Sequence, residues 1–451
     1  MRFLHFFRHH LFESVLIVVI LALIIARFGI LTVSPPGFYI DETASGAQAT
    51  AMVETGKSYQ GVAWPGYVPA YGGGFTTPVY LYPLTAWASL FGTSEYALRS
   101  FSQFVTILSV IIIGLAFALW YGRKSALLVI AAGLALPWNW LQGSLAWDPV
   151  LVPLMASLVF LGWTLLYRHP NKLLFSIGLI VLPVSLLLIA YSYPPYWVSA
   201  PLLTLAAYGS LWYFRKLSIR AVLISFAAMA LLALPLLAFI LSPGTLGRSS
   251  SVSIFSQSSL LYAPLLFLWN CLTLANPIYW FVFGDVNMRQ STGFQGMLGI
   301  AALIPLIVAI IISVRPKVKL LQGDLKTSRL LLWVALIGYA LSSVGAALTA
   351  EGQPHSLRSC GAWVFALIAI GVGWHILTSQ VRFKKVMIVA IILFFVGTVT
   401  YAIDLAVTYP SRAALSFDSR QRGEIHSHKP VRYPGMSLDY YKHSDSNLWK
   451  K

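Results

Sequence analysis

The sequence predicts an all-α, polytopic membrane protein, and its composition and hydropathy pattern carry that prediction. Of its 451 residues, 58% are hydrophobic and 10% are charged, and the mean hydropathy is +0.76. Soluble proteins contain about 25% charged residues. Apolar runs of roughly 20 residues, the length that crosses a bilayer as a helix, recur along the chain. These properties exclude a soluble binding module.

Eleven apolar runs are candidates for membrane-spanning helices. They fall at about 14–33, 101–120, 126–141, 150–167, 173–191, 197–213, 221–241, 297–314, 330–349, 361–378 and 386–407. The first run follows a basic N-terminus and continues to Val33 without a small-residue cleavage site, so we expect an uncleaved span. We therefore predict about 11 transmembrane helices in one membrane domain, residues 1–407.

A further apolar stretch, 260–283, is interrupted by Asn270, Asn276 and Pro277. Its content of Trp, Tyr and Phe is typical of a helix that lies at the membrane interface. We therefore predict that the outer segment 242–296 lies at the interface and does not span the bilayer.

The net charge of +17 is distributed in a way that orients the chain in the membrane. Alternate loops hold most of the basic residues upstream of the tail: Arg2, Arg8, Arg123, Lys124, Arg168, Lys172, Arg215, Lys216, Arg220, Arg315, Lys317, Lys319, Lys326, Arg329, Arg382, Lys384 and Lys385. The positive-inside rule makes these loops cytoplasmic, so the charge does not call for a nucleic-acid partner.

The remaining loops hold most of the acids: Asp41, Glu42, Glu54, Glu95, Asp148, Asp285 and Glu351. These loops are then outside the cytoplasm, the N-terminus is inside, and segment 408–451 is a short extracytoplasmic tail. Basic residues within the tail favour an inside tail, against a consistent pattern upstream. We expect a multi-pass protein of the plasma membrane.

The predicted first outer loop, residues 34–99, is rich in Gly, Pro, Tyr and Trp. Long loops in compact proteins are functional or disordered, and this one is too aromatic and too low in charge for disorder. The spacing of Ala44, Ala47 and Ala51 predicts a helix over 42–55 that ends at Gly56. A second short helix is predicted over 85–90. We expect both to lie on the membrane surface.

Three outer carboxylates are candidates for catalysis. Asp41 and Glu42 follow the first span directly, and Asp148 lies in a Trp-Asp-Pro turn between the third and fourth spans. A carboxylate within hydrogen-bond reach of an acceptor hydroxyl acts as a general base. Alternatively, Asp41 is only the N-cap of the following helix and Asp148 is only a turn aspartate.

Cationic residues on the same side are candidates for binding a phosphate. Arg99 begins the second span, Arg289 lies in an outer loop, and His355 and Arg358 precede the tenth span. Arginine pairs well with carboxylates and phosphates, but near a membrane it is also a common interfacial anchor.

Several motifs together resemble those of GT-C glycosyltransferases, in the branch of protein O-mannosyltransferases and lipid A aminoarabinose transferases. The similar stretches are Ile40-Asp41-Glu42, Phe75-Thr76-Thr77-Pro78, the run from Phe91 to Arg99, the run from Trp280 to Arg289, and the run from Pro354 to Arg358. Together they extend over nearly the whole chain.

The resemblance implies an inverting transfer of a sugar from a polyprenyl-phosphate donor to a glycan, lipid or protein acceptor, outside the cytoplasm. It implies Asp41 as the catalytic carboxylate and Asp148 as the second outer-loop acid. Many relatives carry Lys where this chain has Thr77, so Lys57, Arg99, Arg289 or Arg358 would hold the phosphate. No cofactor is firmly implied, although the chemistry allows a divalent cation.

Two other functions compete with the transferase. A transporter or flippase would place ionisable residues in mid-membrane, whereas the spans hold little charge beyond Arg27 and Asp404. A lipid-linked glycan polymerase or ligase would centre on a later, Arg-rich outer loop. The long acidic loop directly after the first span favours the transferase.

Overall fold

The computed structural model describes residues 2–70, 74–243, 245–314 and 322–417. Within that part the chain is 75% helical with almost no sheet, which confirms the predicted fold class. The helices are α1 (Arg2–Ile30), α2 (Ile40–Thr55), α3 (Pro78–Phe91), α4 (Glu95–Tyr121), α5 (Arg123–Ala135), α6 (Pro137–Gly143), α7 (Leu151–Arg168), α8 (Lys172–Ser192), α9 (Tyr196–Tyr213), α10 (Ile219–Leu232), α11 (Leu234–Ile240), α12 (Gly247–Ser251), α13 (Ile254–Gln257), α14 (Ala263–Leu274), α15 (Pro277–Phe281), α16 (Leu303–Val314), α17 (Gln322–Ala347), α18 (Ala362–Ser379), α19 (Lys384–Ile403) and α20 (Tyr409–Ala413). Two short strands, β1 (Val68–Pro69) and β2 (Phe75–Thr76), pair antiparallel.

The predicted number of spans is not confirmed. In the described residues, 7 helices are long and apolar enough to cross a membrane, or up to 9 if each of two bent pairs is one span. The bent pairs are α5 with α6 and α10 with α11. Helices also form in the two remaining predicted runs, but α16 is short and α9 does not meet the same criteria of length and hydropathy. The chain is an integral, multi-pass membrane protein.

Helix α18 lies at the centre of the bundle. Nearly all of its side chains are buried, and it contacts α4, α5, α7, α16, α17 and α19. A helix that is apolar on every side is stable only where neighbours cover every side. The helix is therefore a fixed support for the residues that precede it, Thr349 to Gly361.

A buried arginine stabilises the break between α5 and α6, which meet at 63°. Pro137 has no N–H for the helical ladder, and the N–H of Trp138 donates to Met297 O, so the carbonyl of Leu134 loses its helical donor. Arg27 of α1, 0% exposed, supplies that donor. Its other contacts are with Gln103 Oε1 (2.9 Å), Thr106 Oγ1 (3.2 Å), Asn139 O (3.0 Å) and Asn139 Oδ1 (2.9 Å).

The first outer segment contains the helix predicted from alanine spacing. Helix α2 ends where predicted, since Gly56 has a φ of 71° and its N–H donates to Met52 O. The second predicted helix is longer than expected because Pro78 occupies its first turn, where a missing N–H costs nothing. Helix α2 is buried from Glu42 to Ala51 and packs against α3, so it forms part of the core.

The predicted interfacial segment 242–296 contains four short helices, α12 to α15. The break between α14 and α15 falls at Asn276 and Pro277, and the side chain of Asn276 caps α15 through the N–H of Ile278. The last described residues pass through a π-helical turn, Asp404–Thr408, and α20. Of the predicted tail, 418–451 lies outside the described residues.

Candidate active site

A cavity of about 560 Å³ opens at the ends of several helices, within the size range of small-molecule sites. The first outer segment, the start of α7, the junction of α8 and α9, and the segments 285–290 and 345–358 all line it. Its ionisable residues are Asp41, Asp148, Asp285, Glu351, Arg289, Arg358 and His355, and its aromatic residues are Tyr39, Tyr67, Phe75, Tyr191, Tyr193, Trp197, Phe239 and Phe255. The structure thus brings together five of the eight predicted site residues.

Asp41 lies in the first turn of α2 and faces the cavity. The alternative that Asp41 is the helix cap is wrong, because Tyr39 is the N-cap residue and Glu42 completes the capping contact. The Glu42 Oε2 atom accepts the N–H of Tyr39 at 2.9 Å. The half-buried carboxylate of Asp41 also benefits from the positive end of the helix dipole, which stabilises its ionised form.

Asp148 faces the same cavity from a 3-10 turn, Asp148–Val150, that leads into α7. Asp41 and Asp148 are close enough to repel each other electrostatically. No hydrogen bond or ion pair joins the Asp148 carboxylate to another side chain in the described chain. The two carboxyl groups therefore lie near each other in the cavity.

Arg289 also lines the cavity and is held by its own loop. Its Nε and its backbone N–H both donate to Asn287 Oδ1, at 3.1 Å each. Its guanidinium lies over the ring of Tyr39, with 4.4 Å from Cζ to the ring centroid. This geometry leaves both terminal nitrogens without a hydrogen bond to the described residues, so they are available to a ligand.

Arg358 and His355 line the same cavity. The Arg358 side chain is 10% exposed, and its one carboxylate contact is Nη2 to Glu351 Oε2 at 3.4 Å. The buried Nη1 atom has no hydrogen-bond partner among the described residues. Burial, together with Arg358 and Arg289, lowers the pKa of His355 to about 3. His355 is therefore neutral near pH 7, and two guanidinium groups lie near it.

Glu42 and Arg99, two of the predicted site residues, do not line the cavity. They form a salt bridge in which both side chains are 0% exposed, with 2.8 Å between Arg99 Nε and Glu42 Oε1. The guanidinium also donates to Glu42 Oε2, Glu95 Oε1, Pro35 O and Gly37 O. Because arginine has five N–H groups, none of them remains for a phosphate. The predicted phosphate role of Arg99 therefore does not fit its geometry.

Glu42 is likewise committed to structural contacts, since its Oε1 atom also accepts the N–H of Ala146 at 2.8 Å. This contact joins α2 to the turn that carries Asp148, so Glu42 supports the site without entering it. Lys57 lies outside the cavity too, in an exposed bridge with Ala63. Among the predicted phosphate ligands, Arg289, Arg358 and His355 remain.

Sequence reasoning missed several residues of the cavity. Tyr193 lies at the junction of α8 and α9, close enough to Arg358, Asp148 and Asp41 to interact electrostatically with each of them. Burial raises the pKa of Tyr193 above its ordinary value, so its phenol stays protonated and can donate. The Tyr-Pro-Pro run between two predicted spans was the available signal. Tyr67 and Phe239, stacked at 3.6 Å between ring centroids, were not predictable as a pair.

A divalent cation at this cavity would be held by Asp41 and Asp148. Within the described residues no three His, Cys, Asp or Glu side chains form a group that could hold a metal ion. Mg²⁺ sites built from one or two carboxylates depend on substrate phosphates and water for their other ligands. The two acids fit such a cation only together with a bound substrate, and the expectation stays a prediction.

Solved structures that align with this chain include ArnT from Cupriavidus metallidurans. The apo form has 15% sequence identity and a TM-score of 0.41, and the form bound to undecaprenyl phosphate has 12% and 0.43. Both alignments cover 96% of this chain and 84% of the ArnT chain. An oligosaccharyltransferase from Archaeoglobus fulgidus, tethered to an acceptor peptide, has 12% identity and a TM-score of 0.49, over 96% of this chain and 60% of its own.

No protein-family model and no curated protein matches the chain. ArnT, a lipid A aminoarabinose transferase, belongs to the branch that the sequence motifs resemble. At these identities and TM-scores the similarity carries no argument about function, which has to be inferred from the residues of the cavity.

Proposed function

We propose that the protein is an inverting glycosyltransferase that moves a sugar from a polyprenyl-phosphate donor to an acceptor at the outer face of the plasma membrane. The observation that carries this proposal is that carboxyl groups and guanidinium groups with unused donors line one cavity. Asp41 and Asp148 supply the carboxyl groups, and Arg289 and Arg358, whose terminal nitrogens are largely unused, supply the guanidinium groups. Such an arrangement suits a reaction between a hydroxyl and a sugar phosphate.

The chemistry follows from this combination of groups. Asp41 accepts the proton of the acceptor hydroxyl, and the acceptor oxygen forms a bond with the anomeric carbon. The bond between that carbon and the phosphate oxygen breaks on the opposite face, and its electron pair leaves with the lipid phosphate. Arg289 and Arg358 stabilise the negative charge that develops on the phosphate, because prearranged donors are effective in a site with little water. Inversion results from attack opposite the leaving group.

Basic residues lie at the helix ends away from the cavity, which supports an outer location of the cavity. Helix α7 begins beside the cavity and ends at Arg168, and α8 begins at Lys172 and returns to the cavity. The segment that carries Arg358 lines the cavity, and α18, which follows it, ends just before Arg382. Because basic loops stay in the cytoplasm, the cavity belongs on the other side.

Cysteine labelling tests this orientation. Gly66 is exposed, and a Cβ atom there would meet no heavy atom within 4 Å, so Gly66→Cys should be tolerated. In a background with Cys271 and Cys360 replaced by alanine, an impermeant thiol reagent should label this variant in intact cells. Lys172→Cys, exposed at the opposite helix ends, is the matched control and should be protected. The reverse labelling pattern would contradict the proposed orientation.

Transfer itself is tested with membranes that contain the protein and a panel of radiolabelled polyprenyl-phosphate sugars. The expected result is movement of one label into a glycan, lipid or protein fraction, absent from membranes without the protein. Failure of every donor to give transfer, or movement of intact donor across the membrane, would reject the transferase.

The phosphate role of Arg358 gives a quantitative prediction. Arg358→Ala should raise the apparent KM for the donor by about 10- to 100-fold, because hydrogen bonds to charged groups contribute about 1.5–3 kcal/mol. The KM for the acceptor should change less. Lys57→Ala is the matched control, since Lys57 is exposed and outside the cavity. An unchanged donor KM in Arg358→Ala would move the role to Arg289.

The described part of the chain gives a transporter little support. Arg27 donates five hydrogen bonds within the bundle, and buried Asp404 pairs with Arg412 at 2.8 Å. Both ionisable groups that the sequence places within spans are therefore committed to structural contacts. An ion pathway needs such groups to exchange partners.

A further inference from the structure

The loop that carries Arg289 and the segment that carries Arg358 are far apart in the sequence, and one aspartate joins them. The Asp285 Oδ1 atom accepts the N–H of Asn287, in its own loop, at 2.8 Å. Its Oδ2 atom accepts the N–H of Ser356, in the other segment, at 2.7 Å. The side chain is 3% exposed, so these contacts form in an environment with little competing water.

Each of the two backbone contacts lies next to a cationic residue. Asn287, whose N–H binds Asp285, accepts two hydrogen bonds from Arg289. Ser356 follows His355 directly and precedes Arg358 by two residues. Two weaker contacts reinforce the connection, since Gln290 Oε1 accepts the O–H of Ser356 at 3.3 Å and the N–H of Leu357 at 3.4 Å.

The rest of the segment 349–361 is attached to other parts of the bundle. Asn270 Nδ2 donates to Thr349 O at 2.9 Å, and Gly361 N–H donates to Tyr196 Oη at 2.6 Å. Between these ends, the backbone of Ser356 and Leu357 accepts one long hydrogen bond from Gln142 Nε2 of α6, at 3.4 Å to Ser356 O, and donates to Asp285 and Gln290. The contact with Asp285, at 2.7 Å, is the shortest of these, so we expect the position of Arg358 within the cavity to depend on it.

We propose that Asp285 is a positioning residue that holds Arg289 and Arg358 at a fixed separation, so that the two guanidinium groups bind one phosphate together. This inference rests on the proposed function and names a residue that acts through the phosphate ligands and not on the reacting atoms. Burial raises the pKa of Asp285 to about 6 although both N–H contacts oppose that shift. The acid is therefore mostly ionised at pH 7, the state in which both oxygens accept.

Asp285→Asn tests the proposal, because the amide keeps one acceptor oxygen and turns the other position into a donor. One of the two backbone N–H groups then loses its partner and faces another N–H. We expect the apparent KM for the polyprenyl-phosphate donor to rise about tenfold, with turnover at saturating donor within about threefold of wild type. Loss of turnover at saturating donor would make Asp285 a catalytic base and overturn the positioning role.

A double-variant cycle separates positioning from general loss of structure. If Asp285 acts through Arg358, then Asp285→Asn should change the donor KM little further in an Arg358→Ala background. Additive effects on the donor KM would overturn the proposal. Gln295→Met is the matched control, since Gln295 lies in the same loop but donates to Gly397 O and Thr400 Oγ1 of α19. It should lower thermal stability and leave the donor KM unchanged.

The two proposals fail in distinguishable ways. Wild-type protein that transfers no sugar from any donor rejects the glycosyltransferase, whatever Asp285 does. If the wild-type protein transfers sugar and Asp285→Asn has an unchanged donor KM, only the positioning role is rejected.

Discussion

Asp41→Asn is expected to lose turnover by about 10²- to 10⁴-fold, equivalent to roughly 3–5 kcal/mol of activation free energy. The substitution preserves the size of the side chain and removes its charge and basicity. Since the capping contact of α2 comes from Glu42, the change should leave the helix start intact. The protein should therefore insert and fold as wild type while the proton of the acceptor hydroxyl has no strong base to receive it.

The measurement is turnover of purified variants in detergent with a polyprenyl-phosphate donor, beside thermal unfolding of the same samples. Glu54→Gln is the matched control, because Glu54 is an exposed acid of the same helix. It should retain wild-type turnover. Wild-type turnover in Asp41→Asn would reject the assignment of the base and make Asp148, which lines the same cavity, the next residue to test.

Glu42→Ala is expected to affect stability far more than the other acid substitutions. It leaves the Arg99 guanidinium buried at 0% exposure with part of its charge uncompensated. Removing one partner of a buried ion pair costs about 3–5 kcal/mol, which is a large share of the stability of a folded domain. Thermal unfolding in detergent should show a clear decrease in the transition temperature, and expression should fall.

A compensating variant distinguishes an uncompensated charge from a loss of packing. Glu42→Met with Arg99→Met removes both charges, so it should recover part of the stability lost in Glu42→Ala. Recovery should be incomplete, since Glu95 and the carbonyls of Pro35 and Gly37 lose donors as well. Glu54→Ala, an exposed acid in α2, should be close to neutral. An unchanged transition temperature in Glu42→Ala would contradict the structural role.

The fold was predictable because hydropathy and charge pattern are local properties of the sequence. The helix over 42–55 and its end at Gly56 follow from spacing and from the positive φ that glycine adopts readily. The number of spans was harder to predict, since Pro137 bends one apolar run and α16 is short. Hydropathy counts apolar residues and does not register where a helix changes direction.

The site was predictable only in part, because residue type does not specify the partner. Arg99 and Arg358 are both arginines near the start of a span, yet within the described residues five acceptor atoms surround Arg99 and a single weak contact reaches Arg358. The partners of Arg99 lie up to 64 residues away in sequence. Asp285 and Tyr193 were missed as site residues for the same reason, since their importance depends on contacts or fields from distant segments.

The contacts of Arg27 have a consequence for biogenesis. Its acceptors lie on α4, α5 and α6, so none of them exists when α1 leaves the ribosome. An arginine within a membrane helix costs about 2.5–3.5 kcal/mol at the centre of the span on the translocon scale, and less towards an end. The first span should therefore remain near the translocon until the chain has been synthesised through Asn139. Its release into lipid is then coupled to the arrival of the second and third predicted spans.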